Sequence, residues 1–374
     1  MIRIVFSFVI FLHGLIHLLG FVKEWNLAEV KQLTGETLIS LSGGLSRIAG
    51  LLWLIASLLF IASAAKYLLR KEWWWMIAAV AIFISQILIF IYWKDAKFGT
   101  VANIIILLAV IPSYGAWSFD RMVNDELNSF LPEKIDKRVV TEEMIDDMPA
   151  VVQKWLMRSN IAGKEVIQTV HLKQKGEMRT KPEGNWMSVN AEQYISTNPP
   201  GFIWIADVKS SFLHLSGRDK YVNGRGHMLI KLSLIPVVNA RGKEIDQGAL
   251  LRYLGEMVWY PSAALNDYIT WEEIDSTTAR ATMSYKGITA SGIFKFDENG
   301  DFVSFEADRY YYRKDGSTLE RWGITVNGKN YREFEGIRIP VNMSVTWKFK
   351  EGDFTWYRLE IKKINYNTER KEAK

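Results

Sequence analysis

Charged residues are missing from four long apolar stretches of this chain. Ile4–Val22 lies between Arg3 and Lys23, Ile48–Ala65 between Arg47 and Lys66, Trp73–Trp93 between Glu72 and Lys94, and Phe98–Phe119 between Lys97 and Asp120. Each is close to the ~20 residues that a helix needs to cross the hydrocarbon core of a bilayer, so the pattern predicts four transmembrane helices. Trp73, Trp74, Trp75, Tyr92 and Trp93 bracket the third window, as an interfacial aromatic belt does. No small-residue cleavage site follows the first window, and three more spans do, which reads it as a span rather than a secretory signal. An even number of spans places both termini on one side. Which side is left open, because Arg3, Lys66, Arg70, Lys71 and Arg121 face an equal count of Lys23, Lys31, Arg47, Lys94 and Lys97.

After Phe119 the pattern changes. Residues 1–119 form the predicted four-helix transmembrane module, and 120–148 read as a polar, acid-rich connecting segment containing "TEEMIDDMP". A short helix is expected from near Asp147 and Pro149, with Val151, Val152, Trp155 and Leu156 on one face. From about Val166 the apolar period becomes two, as in half-buried antiparallel strands. "GIFKFDENGDFVSFEADRYYY" (292–312) is a hairpin with alternating aromatics on either side of its turn. One helix interrupts the strands over Glu244–Leu265, with Asp246 as its expected N-cap and Pro261 as its stop. Its expected apolar face is Leu250, Leu251, Leu254, Met257 and Val258. The fold class is therefore a four-helix transmembrane bundle plus a mainly antiparallel β domain, a curved sheet or half-barrel wrapped around an amphipathic helix. The β-rich globular domain covers 149–367, and 368–374 is a charged tail.

Composition narrows the chemistry. A net charge of +5 is too small and too dispersed for a nucleic-acid footprint. The absence of cysteine excludes disulfides, thiolate metal sites and cysteine nucleophiles. There is no G-x-S-x-G elbow, no H-E-x-x-H pair and no phosphate loop. Gly224 and Gly226 begin a G-x-G, but Leu229 stands where a third glycine belongs, so "NGRG" reads as a hairpin turn. His214 and His227 sit in strand-like runs without a nearby nucleophile. No catalytic residue, metal site or cofactor is assigned, and whether the protein is an enzyme is left open.

Three groups of residues remain as candidate sites. Around the internal helix, Glu244, Asp246, Arg252 and Glu256 read either as a cap plus a surface ion pair or as the polar rim of an apolar cavity, with Arg252 meeting an anionic head group. A third reading makes two of the carboxylates an acid/base pair. Trp204, Leu250, Leu254, Met257, Val258 and Trp259 read either as ordinary core or as an apolar pocket lining. The run "MLIKLSLIPVV" (228–238) belongs to the same surplus, as lining or as a surface that docks on a bilayer. Finally, His13 and His17 share one side of the first span. At 1.5 Å per residue they lie ~15 and ~9 Å from Lys23, Asn103 lies ~9 Å from Lys97, and Gln86 lies ~12 Å from Lys94. His13, His17, Gln86 and Asn103 thus form one intramembrane polar layer. It reads as interhelical packing, as a small-molecule or proton-linked site, or as a metal or haem site, for which no third ligand lies in the spans.

The stretches "HGLIHLLGF", "KDAKFGTVANIIILLA", "PPGFIWIADV", "VNGRGHMLIKL", "EIDQGALLRYLGEMVWYPSAAL" and "YREFEGIRIP" resemble an uncharacterised bacterial membrane-protein family along nearly the whole chain. That family joins four N-terminal spans to a C-terminal β domain and implies architecture without an activity. More remotely, the β domain resembles the lipoprotein-localisation carriers, whose open antiparallel half-barrel is plugged by a helix and binds acyl chains. The resemblance implies membrane lipid as a partner, an acyl-chain or lipoprotein ligand, and an extracytoplasmic β domain in the bacterial cell or inner membrane. The functional expectation is a membrane-anchored protein that binds a lipid or other apolar ligand in its β domain. The alternatives are an enzyme acting on a lipid-linked substrate and a membrane sensor or scaffold.

Overall fold

The computed structural model describes residues 1–31, 33–209, 214–313 and 315–369; the expected charged tail lies outside the described residues from 370 onward. The chain divides into two compact units, Met1–Arg121 and Met122–Lys374.

The first unit contains α1 (Ile2–Glu24), α2 (Gly43–Leu68), α3 (Trp74–Ile91), the single turn α4 (Trp93–Ala96) and most of α5 (Gly99–Phe130). All but α4 are long and apolar enough to cross a membrane. Many apolar side chains point outward along them, Phe8, Leu58, Phe83 and Leu108 among them, a surface that a bilayer would solvate as well as protein does. What holds the helices together is close fit. A side chain at Gly14 would come within 3.0 Å of Phe60, and one at Gly20 within 2.6 Å of Trp53. These glycines therefore set how near α1 and α2 can lie. Ile10, Phe60, Trp74, Ala78 and Ile106 form one apolar cluster, and Trp53, Leu88, Ile89 and Tyr92 a second.

The second unit begins inside α5. Helix persists to Phe130, so the first part of the expected connector 120–148 is helical. A further turn, α6 (Glu142–Asp146), is capped by Thr141, which accepts from the Met144 amide at 3.4 Å. The short helix α7 (Ala150–Arg158) follows Pro149 and buries Val151, Val152, Trp155 and Leu156.

The strands then run outward from the centre of one sheet: β1 (Thr169–Met178), β2 (Met187–Thr197), β3 (Pro200–Lys209), β4 (His214–Val222), β5 (Arg225–Leu232) and β6 (Ile235–Ala240). The helix α8 (Lys243–Glu256) crosses to the opposite edge. From there β7 (Ile269–Asp275), β8 (Thr278–Tyr285), β9 (Ile288–Phe296), β10 (Phe302–Arg313) and β11 (Gly316–Val326) run back inward. A small hairpin, β12 (Tyr331–Phe334) and β13 (Ile337–Pro340), precedes β14 (Asn342–Phe349) and β15 (Gly352–Tyr366). The last strand pairs with β1, giving a 13-stranded antiparallel sheet with β6 and β7 at its edges. The chain must pass from one edge to the other between β6 and β7, so α8 lies across the inner face, packed on β3–β5 and β8–β10. Bulges at Lys173/Gln174, Ile230/Lys231 and Val345/Thr346 add the bending that curls the sheet around it.

This curling corrects three expectations about α8. It is not amphipathic: Gly248, Ala249, Leu250, Leu251, Tyr253, Leu254 and Gly255 are all buried, because sheet meets it on both flanks. Asp246 is not its N-cap; the helix begins at Lys243 after Gly242, whose φ of 125° suits glycine. Pro261 does not end it either. The helix tightens into a 3₁₀ turn at Met257–Trp259, and Pro261 opens a second one over Pro261–Leu265. The "NGRG" turn is a two-residue link between β4 and β5, with Asn223 and Gly224 at φ 53° and 76°.

Candidate functional site

In the bundle, His13, His17, Gln86 and Asn103, the residues expected to share one polar layer, meet in one hydrogen-bonded chain. His17 Nδ1 donates to the His13 carbonyl at 2.7 Å, which leaves its Nε2 to accept from Ser85 Oγ at 2.8 Å. Asn103 Nδ2 donates to Ser85 Oγ at 3.0 Å and to Gln86 Oε1 at 3.1 Å, and Asn103 Oδ1 accepts from His13 Nε2 at 2.9 Å. Gln86 passes the chain on to Thr100 at 3.1 Å. Both imidazoles lie edge-on to Phe60 or Trp53, with centroids 4.8–5.2 Å apart. Sequence reasoning missed Ser85 and Thr100, whose small hydroxyls carry no periodic signal. Beside this network lies a cleft of about 280 Å³, bordered by His13, His17, Trp53 and Tyr92, with Lys23 and Asp95 at its charged end. Trp53 Nε1 is buried without a hydrogen-bond partner among the described residues. No group of three His, Asp or Glu among the described residues is placed to hold a metal ion.

In the β domain, strand register places Gln193, Trp204 and Asp219 in one row across β2, β3 and β4. Arg252 reaches this row from α8. Its Nε donates to Glu256 at 2.7 Å, its Nη1 to Asp219 at 2.9 Å and its Nη2 to Gln193 at 3.3 Å, while Glu256 also accepts from Gln193 Nε2 at 2.7 Å. The guanidinium lies 4.8 Å over Phe202 and 5.1 Å over Trp204. Burial works against its charge, but Glu256 and Asp219 more than offset that, and the group ends above the usual arginine range. The i,i+4 pair is thus neither on the surface nor on an open rim. It is a buried ion cluster whose guanidinium is already engaged inside the fold.

The carboxylates do not converge. Glu244 accepts from Ser317, and Asp246 accepts from the Gly226 amide at 2.6 Å and from Arg225 at 2.9 Å. Along one helix Glu244 and Asp246 stand ~18 and ~15 Å from Glu256, and Glu244 and Asp246 are held by different partners, so no two of the three are brought to one site. Asp246 pins α8 to the β4–β5 turn instead of capping it. The expected lining residues are packed core: Leu250, Leu254, Met257 and Val258 are fully buried, and Trp204 and Trp259 are 9% and 1% exposed. Their indoles are satisfied within the fold, Trp204 by Gln174 at 3.1 Å and Trp259 by the Pro340 carbonyl at 3.2 Å.

One inward-facing cation is treated differently. Arg309 of β10 shares its face with the buried Phe305 and Ala307 and the partly buried Tyr311. Its guanidinium stacks 4.8 Å from Trp322 and 5.9 Å from Trp347. It also crosses α8 at Gly248, where a side chain would sit 2.9 Å from Nε. Arg309 makes no ion pair or hydrogen bond among the described residues, although its Arg252 counterpart makes several. Next to it Tyr311, Trp347 and Phe349 form an aromatic wall with centroids 4.9–6.2 Å apart, and Phe354 extends it. The signal was present in the alternation of "FEADRYYYR", which gives Arg309 the same parity as Phe305, Ala307 and Tyr311.

Residues 138–359 match the profile of a family of unknown function (DUF6544), more than half of the chain. Among curated proteins none matches. Among solved structures, a putative outer membrane lipoprotein-sorting protein domain from Vibrio parahaemolyticus is 10% identical. The match covers 61% of this chain and 95% of that one, with a TM-score of 0.35. A DUF1329 family protein from Desulfovibrio piger is 11% identical over 63% and 96% of the two chains, with a TM-score of 0.31. Likeness at this level transfers no ligand and no residue role.

Proposed function

We propose, for a chain that belongs to the family of unknown function DUF6544, that the protein is an integral membrane protein whose β domain binds an acyl-bearing lipid or similar apolar anion. The observation that carries this reading is Arg309. A guanidinium presents five N–H donors in a planar fork suited to carboxylate or phosphate. At Arg309 those donors have no acceptor among the described residues, and an aromatic wall stands beside them. An anionic head on Arg309 and an apolar tail along Tyr311, Trp347 and Phe349 satisfy both features together. The binding surface is therefore the aromatic end of the inner face, not the packed centre of α8. Native mass spectrometry of the full-length protein released from detergent tests it. Retained acyl lipid that is lost in Arg309→Met supports the reading; a protein that carries none, and takes up none when fatty acid is added, overturns it. We further place the β domain on the extracytoplasmic side of a bacterial inner membrane, which a periplasm-active reporter fused after residue 374 checks.

A second reading concerns the bundle. The cleft beside His13 and His17 combines apolar walls with a few convergent polar groups, as small-molecule sites do. In that reading the bundle senses a small ligand and the β domain responds. Replacing both histidines by Phe tests it: unchanged folding with a lost response supports the reading, and an unchanged response removes it.

A further inference from the structure

On the outer face of the sheet, opposite the ion cluster, β4 and β5 carry a second charged group. Arg218, only 1% exposed, donates from Nη1 to the His227 carbonyl at 2.7 Å and from Nη2 to His227 Nδ1 at 3.0 Å. Its Nε lies 3.0 Å from Glu126 Oε2, an ion-pair distance without hydrogen-bond alignment, and Lys220 donates to the other oxygen at 2.8 Å. Glu126 is thereby spent on two cations. Lys231 and Arg241 border the same cleft, of about 390 Å³, and neither has a carboxylate partner among the described residues. The cleft is therefore lined by more positive than negative charge.

Its other wall is apolar and open. Met122, Leu234 and Pro236 line it, and the β5–β6 hairpin beyond leaves Leu234, Ile235 and Val237 38%, 64% and 51% exposed. Such a tip on an edge strand is an invitation to strand addition, but Pro236 removes a backbone donor there, which blunts that use. A surface of exposed aliphatic side chains rimmed by cations matches the interfacial zone of a bilayer with anionic lipids. Chain connectivity supplies the address. Met122 is three residues from Phe119, the last residue of an apolar span, and three residues reach no more than ~11 Å even when fully extended.

We propose that the β5–β6 hairpin docks on the membrane surface, with Leu234 and Ile235 in the upper acyl layer and the head group of an anionic phospholipid held in the cleft by Lys231 and Arg241. This site is separate from Arg309, and its failure leaves the Arg309 reading standing, because the two are read by different signals.

The test uses the full chain in nanodiscs of phosphatidylcholine, with or without phosphatidylglycerol. Since the protein has no cysteine, Ile235→Cys gives one attachment point for a polarity-sensitive fluorophore. The expected result is a blue-shifted label, shielded from aqueous iodide, when phosphatidylglycerol is present. Removing both cations in Lys231→Ala/Arg241→Ala should lower the preference for phosphatidylglycerol over phosphatidylcholine by ~30-fold. An unchanged thermal transition shows that this variant still folds. A label that stays in water in both membranes overturns the proposal. So does shielding that survives loss of the two cations, or shielding produced by inorganic phosphate in phosphatidylcholine discs alone.

Discussion

The two units each bury a polar network, and the networks differ in kind. In the bundle it is built from imidazole, amide and hydroxyl groups, with no formal charge needed to complete it: His17 to Ser85, Ser85 to Asn103, Asn103 to His13 and Gln86. In the β domain it is ionic, with Arg252 between Glu256 and Asp219. In a bilayer a charge in a span is expensive, and helices that cross one are joined by neutral partners of modest individual strength, the kind this bundle uses. The β domain encloses this cluster among Phe202, Trp204 and the strand row, where Arg252, Asp219 and Glu256 are paired with one another and removal of one leaves the others stranded.

That contrast sets the order of the expected effects. Arg252→Leu should be the most damaging change, because it strands two buried carboxylates; a loss of ~3–5 kcal/mol is expected in denaturant unfolding of the full-length protein. Gly20→Ala comes next, since its new methyl group meets Trp53 at 2.6 Å; overpacking of this kind costs ~1–3 kcal/mol, read as lowered resistance of the bundle to unfolding in SDS. Asn103→Leu should cost less, ~0.6–2 kcal/mol, by the same assay. If Asn103→Leu proves worse than Arg252→Leu, the neutral-versus-ionic contrast is wrong.

The smallest effect is one of pH. His227 accepts from Arg218 at Nδ1 and faces Arg241, Lys220 and Asn239, with Glu126 across the Arg218 side chain. Burial first, and then the cations Arg218, Arg241 and Lys220, hold its imidazole below 6.5, against a hydrogen bond to Asn239 that favours the charged form. A histidine depressed on folding contributes stability that is complete above its unfolded value and is lost as pH falls. The β domain should therefore weaken below about pH 6.5, and His227→Gln should flatten that part of a stability-versus-pH curve.

How far residues could be read without coordinates depended on the range of the interaction. The spans follow from charge-free windows, and the strands from alternation, because both patterns are local. The polar layer was legible as depth, since rise per residue on a straight helix converts position into distance. Asp246 reads as a cap in the sequence because its partner, the Gly226 amide, lies 20 residues away and across a turn. The Arg252 cluster was out of reach for the same reason: Gln193 and Asp219 join it only through the register of β2, β3 and β4. Arg309 was legible as to its face but not as to its lack of partners, which only the packing of Gly248 and Trp322 reveals.

In the proposed function Arg309 anchors an anionic lipid on the aromatic end of the β domain. Titrating a fluorescent fatty acid into the full-length protein and into Arg309→Met tests it most directly. A charge-assisted hydrogen bond contributes ~1.5–3 kcal/mol, so Arg309→Met should weaken binding by ~10- to 100-fold with an unchanged unfolding transition for the rest of the domain. Equal affinity in the two proteins, or no saturable binding in either, contradicts the account.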